Sequence, residues 1–154
     1  MKANKLRWWT LITFIALCVL VILFGQGFSP GAWYEGLRKP SFAPPNWIFG
    51  VVWTPLYGMI AVAGWLLWER ARTSAAMKWW FIQLALNAAW SWVFFGLHLM
   101  GAALAEIVVL WAAIGATIAS SWHSVRAASY LLIPYWFWVA FAAVLNFSYW
   151  SINR

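Results

Sequence analysis

Five apolar runs parted by short polar connections take up most of this 154-residue chain, at about 8–25, 46–68, 79–99, 101–121 and 129–150. A bilayer core about 30 Å thick is crossed by roughly 20 apolar helical residues. The chain is 66% hydrophobic and 8% charged, which leaves too little polar surface for a water-soluble domain of this length. The expected fold is an all-α integral membrane protein. It is a bundle of five transmembrane helices in one domain, residues 1–154. Residues 1–25 have the basic start and apolar run of a signal peptide. However, Phe24-Gly-Gln-Gly-Phe28 lacks a small-x-small cleavage pattern, so a retained first span is expected.

Asp is absent and the only acids are Glu35, Glu69 and Glu106. That argues against an Asp-containing triad, a carboxylate-rich metal site and a two-carboxylate glycosidase. Cys18 is alone, which excludes an intrachain disulfide and a thiolate cluster, and His98 and His123 lie outside any ligand spacing. No catalytic residue, metal or cofactor is expected. The +7 charge suggests nucleic acid until its distribution is read. Lys2, Lys5, Arg7, Arg70, Arg72, Lys78 and Arg126 fall at the N-terminus and the second and fourth connections; Arg38, Lys39 and Arg154 fall on the other side. By the positive-inside rule the N-terminus is cytoplasmic and the C-terminus opposite, with lipid rather than nucleic acid as the partner.

The first connection, 26–45, is the longest, and Gly25, Gly27, Pro30, Gly31, Gly36, Pro40, Pro44 and Pro45 break any continuous helix there. A short surface helix is expected over Trp33 to Leu37, and Pro44-Pro45-Asn46 should start the second span. A turn around Gly101 makes spans three and four an antiparallel hairpin. Pro55 and Pro134 fall inside spans, where proline can kink a helix and splay the bundle.

Sixteen residues are tryptophan. Trp8, Trp9, Trp47, Trp65, Trp68, Trp79, Trp80, Trp122 and Trp150 fall at span ends, at the expected depth of the headgroups, and Trp33 falls in a loop. Trp53, Trp90, Trp92, Trp111, Trp136 and Trp138 lie mid-span, where they either fill a core or line a cavity for a flat apolar ligand. Helical spacing groups Phe49, Trp53 and Tyr57 on one face, and Gln83, Asn87, Trp90, Ser91 and Phe94 on another. A third face carries Leu131, Pro134, Trp138, Ala142, Leu145 and Tyr149. Asn87 and Ser91 need partners in hydrocarbon, supplied either by neighbouring helices or by a ligand's polar edge. Such a pocket, apolar with a few orienting polar groups, suits a conjugated plane. Arg38 and Lys39 border its loop end, facing either ligand carboxylates or anionic headgroups. Glu106, one turn into span four, is a candidate proton site within reach of water. Small residues on spans three and four allow close approach, within the bundle or across a dimer. Residues 145–154 also fit a proposed cholesterol-contact pattern.

The chain resembles the translocator protein family, also called tryptophan-rich sensory proteins (TspO/MBR). The likeness begins at Trp33 and Tyr34 and runs through Leu37, Arg38, Lys39, Pro40, Ser41, Phe42, Ala43, Pro44 and Pro45 to Phe49, Trp53, Leu56 and Tyr57. It continues in Asn87-Ala-Ala-Trp-Ser91, Phe94-Phe-Gly96, Leu131-Leu-Ile-Pro-Tyr135, Trp138, Phe141 and Ala142, and closes with Leu145, Asn146, Trp150 and Asn153. The resemblance implies a five-helix bundle, commonly a homodimer. It implies binding of porphyrins such as protoporphyrin IX and, in eukaryotic relatives, of cholesterol. Carried onto matching positions, the ligand walls would be Tyr34, Pro44, Phe49, Trp53, Tyr57, Asn87, Trp90, Ser91, Trp138, Ala142 and Leu145. Phe42 stands where the family often has Trp, and Trp90 where some relatives have Phe; both alter pocket volume. The expected function is tetrapyrrole binding, with sterol-like ligands as a second class, in a sensory, regulatory or transport role. The alternatives are light-dependent porphyrin degradation through Trp53 and Trp138, or a small-molecule transporter.

Overall fold

The structure is a computed structural model that describes residues 7–28 and 30–154, and no strand occurs among them. Its elements are α1 (Trp8–Gln26), α2 (Ala32–Glu35), α3 (Asn46–Ala71), α4 (Ala75–Ser91), a π-helical turn (Trp92–Gly96), α5 (Met100–Ser121) and α6 (Arg126–Asn153). Lys2 and Lys5, which enter the charge asymmetry, lie outside the described residues. Four helices, α1, α3, α5 and α6, are long and apolar enough to cross a bilayer. Both in-span prolines sit inside continuous helices, Pro55 in α3 and Pro134 in α6.

The third expected span departs from 79–99. It is a 17-residue α-helix beginning at Ala75, where the Ser74 hydroxyl accepts the Met77 N–H at 3.3 Å as an N-cap. The helix then widens: Leu97 N–H donates to the Trp92 carbonyl at 2.8 Å, a bond five residues back rather than four. Chain direction reverses at His98, whose φ of 58° is left-handed, a conformation that strains a non-glycine residue. The imidazole lies flat on Trp33, 4.1 Å between centroids at 16°, which ties the reversal to the first connection. α5 starts at Met100, so Gly101 is helical and not the turn itself.

α5 packs between α4 and α6, α3 packs on α6, and α1 leans on α3 and α4. Close packing and interhelical hydrogen bonds, rather than hydrophobicity, hold helices together in lipid. On the α5–α6 seam Trp111 and Trp136 stack at 4.7 Å and 15°, with the Trp136 indole N–H on the Trp111 carbonyl at 3.2 Å. The Ser121 and Ser129 hydroxyls meet at 2.7 Å, and Asn146 Nδ2 donates to the Met100 carbonyl at 2.9 Å.

Two span-end tryptophans are core residues instead of membrane anchors. Trp80 is completely buried and donates to the Ile60 carbonyl at 3.0 Å; Trp65, also buried, donates to the Arg7 carbonyl at 3.2 Å. Both helices continue a turn past the expected boundary, which carries these rings inward from the interface. Trp8, Trp9 and Trp47 are exposed as anticipated. Arg7, Arg72, Arg126 and Arg154 cover the faces of Trp9, Trp68, Trp122 and Trp150 at 5.0–5.9 Å.

Candidate functional site

Toward the end of the bundle that carries the first connection, the helices enclose a cavity of about 600 Å³, within the range of ligand sites. α1, α3, α4 with its π turn, α5, α6 and the first connection all contribute to its wall. Nine of the eleven expected ligand-wall residues meet there: Tyr34, Phe49, Trp53, Tyr57, Asn87, Trp90, Ser91, Ala142 and Leu145.

Pro44 and Trp138 are not brought to this wall. Pro44 stays in the first connection, next to the Pro45 N-cap of α3. The Trp138 ring packs edge-on against Phe49 at 5.9 Å and tilted against Phe141 at 5.3 Å. Its indole nitrogen is buried without a partner. Of the six mid-span indoles, only Trp53 and Trp90 line the cavity; Trp92 is exposed, and Trp111 and Trp136 fill a helix seam.

The aromatic wall is held by polar ties behind it. Trp53 leans on Tyr57 at 5.3 Å and on Tyr135 at 6.0 Å, and Trp90 stacks on Phe94 at 5.0 Å and 24°. The Trp90 indole donates to Asn146 Oδ1 at 3.1 Å. Asn87 accepts the Tyr57 hydroxyl at 2.6 Å and donates to the Tyr135 hydroxyl at 2.9 Å, so one amide joins α3, α4 and α6. Its polar demand is met by the bundle. Ser91 is half-buried on the cavity wall.

The roof is the first connection. The short helix there is α2: Ala32 and Glu35 are exposed, while Tyr34 turns inward and is buried, its hydroxyl 2.9 Å from that of Tyr149. Burial first, and then this hydrogen bond, push the Tyr34 phenol above its ordinary range. Lys39 Nζ sits over the Tyr34 ring at 5.7 Å, and the Arg38 main chain is hydrogen-bonded to Asn153. Neither cation lines the cavity, although both stand at its roof.

The sequence argument missed the contributions of α1 and α5, Ile22, Gln26, Ile107 and Leu110, and the glycine edge of α3 at Gly50. Their only signal was a weak one: Ile22 and Gln26 continue the inner face of α1 one and two turns beyond Cys18. Glu106 differs from expectation as well. Its carboxylate oxygens do not reach water; both are buried without a hydrogen-bond partner, away from the cavity wall.

Residues 14–151 match the TspO/MBR family. The chain is 41% identical to a tryptophan-rich protein TspO of Archaeoglobus fulgidus, over 89% of this chain and 93% of that one. It is 36% identical to protein CrtK of Rhodobacter capsulatus, over 92% and 91% of the two chains. It is also 36% identical to the human translocator protein, over 84% of this chain and 78% of that one. A match spanning nearly the whole chain, together with relatives above one-third identity, places this protein in the TspO/MBR family of membrane proteins.

Proposed function

We propose that this protein binds a tetrapyrrole of the protoporphyrin type inside the bilayer and serves a sensory, regulatory or transport role. The observation that carries this is the cavity of about 600 Å³ walled by Phe49, Trp53, Tyr57, Trp90 and Phe94. Rings offered at that density favour a conjugated plane, each aromatic pairing contributing about 0.5–1.5 kcal/mol beyond area burial. In this reading Arg38 and Lys39, which stand at the roof outside the cavity wall, meet carboxylates on the ligand's edge. A sterol offers bulk but no π face, so it takes second place as a ligand.

In this reading all five long helical stretches cross the membrane, α4 with its π turn included. The connections bearing Arg70, Arg72, Lys78 and Arg126 face the cytoplasm; the first connection and the C-terminus face the other side. Titration of the purified protein with protoporphyrin IX, followed by indole fluorescence, tests the binding. Saturable quenching at a fixed stoichiometry, displaced poorly by cholesterol, is expected. Linear, non-saturating quenching would overturn the proposal.

A further inference from the structure

The seam between α1 and α3 is shut at one end and open at the other. At the shut end Glu69 of α3 accepts the Thr10 hydroxyl at 2.8 Å and the Arg7 N–H at 3.3 Å. There Trp8 packs on Trp65 at 4.9 Å and Phe14 on Trp68 at 6.1 Å. Among the described residues, every hydrogen bond and ring pair joining the two helices falls between residues 7–14 and 65–69.

Followed along one face of α1, Phe14 and Cys18 are each 3% exposed, Ile22 is half-buried, and Gln26 is exposed. On α3, Ile60 and Leu56 face inward and are buried, while Thr54 and Gly50 lie on a different side of the helix and are exposed. Ile22, Gln26, Gly50 and Thr54 all line the cavity, and a Cβ placed on Gly50 would meet nothing within 4 Å. The roof, by contrast, is latched by Tyr34 on Tyr149 and by Arg38 on Asn153.

We infer that the cavity is loaded sideways from the bilayer, through a portal between the C-terminal half of α1 and the N-terminal half of α3 that Gly50 keeps open. The inference rests on the binding proposed above and specifies its ligand class: a flat amphiphile already dissolved in lipid. Gln26 and Asn46 sit at the helix ends bordering the portal, at the depth of the headgroups, with Ile22 and Gly50 deeper. A ligand therefore slides in along its apolar body with its polar edge held at the membrane surface. No roof hydrogen bond has to break on this path.

The test is stopped-flow quenching of the full-length protein in phospholipid vesicles, with protoporphyrin IX supplied from a second, loaded vesicle population. Gly50→Phe narrows the portal and should slow association and dissociation together, each by about tenfold, with affinity changed far less. Ile22→Trp, on the facing helix, should repeat the effect. Gly58 is the matched control: it lies on α3, is exposed, would meet nothing within 4 Å, and does not line the cavity. Gly58→Phe should leave both rates unchanged. Unaltered rates in Gly50→Phe and Ile22→Trp, equal slowing in Gly58→Phe, or weakened affinity at an unchanged association rate would each overturn the portal while leaving binding intact. Absence of saturable quenching in the unmodified protein would instead remove the binding proposal, and the portal with it.

Discussion

The side-chain amide of Asn153 closes on both main-chain groups of Arg38. Its Oδ1 accepts the Arg38 N–H at 2.8 Å, and its Nδ2 donates to the Arg38 carbonyl at 3.0 Å. The last turn of α6 thereby clamps a connection 115 residues earlier, directly above the cavity. The bonds are solvent-exposed, each contributing about 0.5–1.5 kcal/mol. Asn153→Ala should leave the helices intact but loosen the roof. Limited proteolysis reads this directly: cleavage within 36–45 is expected to accelerate by roughly 5- to 150-fold, the worth of the two bonds together. An unchanged cleavage rate would mean that the Tyr34–Tyr149 contact holds the roof unaided.

That second latch responds to alkali. The Tyr34 phenol lies above its ordinary value of about 10 because it is buried and hydrogen-bonded to Tyr149. A raised value means the folded chain holds the proton more tightly than the unfolded chain. The resulting stability is complete below about pH 10 and is lost as pH climbs through the raised value. Thermal unfolding followed from neutral to strongly alkaline pH should show the unmodified protein losing more stability than Tyr34→Phe. Parallel curves for the two proteins would contradict this assignment.

How far the sequence revealed these features follows from the kind of force involved. Span positions came from hydropathy, which depends on composition within a window, and four of the five runs coincide with long apolar helices. The end of the remaining run escaped notice because a π turn and a left-handed His98 depend on tertiary contact with Trp33, which no local pattern encodes. Nine wall residues were recognisable from helical spacing and family resemblance together. Trp138 lies behind the wall, and spacing could not show this because it gives a face and not its neighbour; here the neighbour is Phe49. Asn87 illustrates the same limit. Its polarity was evident, but not that Tyr57 and Tyr135 would satisfy it.

The two indoles once grouped together should now separate. Trp53 lines the cavity and Trp138 does not. In the proposed complex, energy transfer to the porphyrin would reach both rings, but direct ring contact would involve only Trp53. Trp53→Phe is expected to weaken protoporphyrin affinity by about tenfold, equivalent to roughly 1.4 kcal/mol, the size of one aromatic pairing. Trp138→Phe should weaken it by less than about threefold, acting only through Phe49. Titrations giving the reverse order would place the ligand elsewhere.

Asn87 serves structure more than recognition. Asn87→Leu removes one partner each from the Tyr57 and Tyr135 hydroxyls. Interhelical hydrogen bonds in membranes average about 0.6 kcal/mol, so the loss should total about 1–2 kcal/mol. Adding Tyr57→Phe to Asn87→Leu should cost less than the sum of the two single changes, because the stranded hydroxyl is gone. Strict additivity in detergent unfolding would show that the bond is not energetically coupled.

Gly64 sets how closely α3 approaches α4 and α1. A Cβ there would clash with Trp80 Cε2 and Cζ2 and fall 2.8 Å from Phe14 Cδ1. Neither ring has room to yield. Trp80 is completely buried with its indole nitrogen committed to the Ile60 carbonyl, and Phe14 packs edge-on against it at 5.1 Å. Gly64→Ala should therefore destabilise the bundle by about 1–3 kcal/mol, the ordinary cost of overpacking, and by more if the Trp80 hydrogen bond breaks. Gly58, six residues earlier on α3 and open to its surroundings, supplies the opposite case. Alanine there should be neutral or stabilising by about 0.5–1 kcal/mol, through the entropy that glycine loses in a helix. Thermal unfolding followed by circular dichroism compares the two on one helix. Equal stability of the Gly64→Ala and Gly58→Ala proteins would mean that α3 can retreat from Trp80 at no cost, and that this seam does not fix the bundle's spacing.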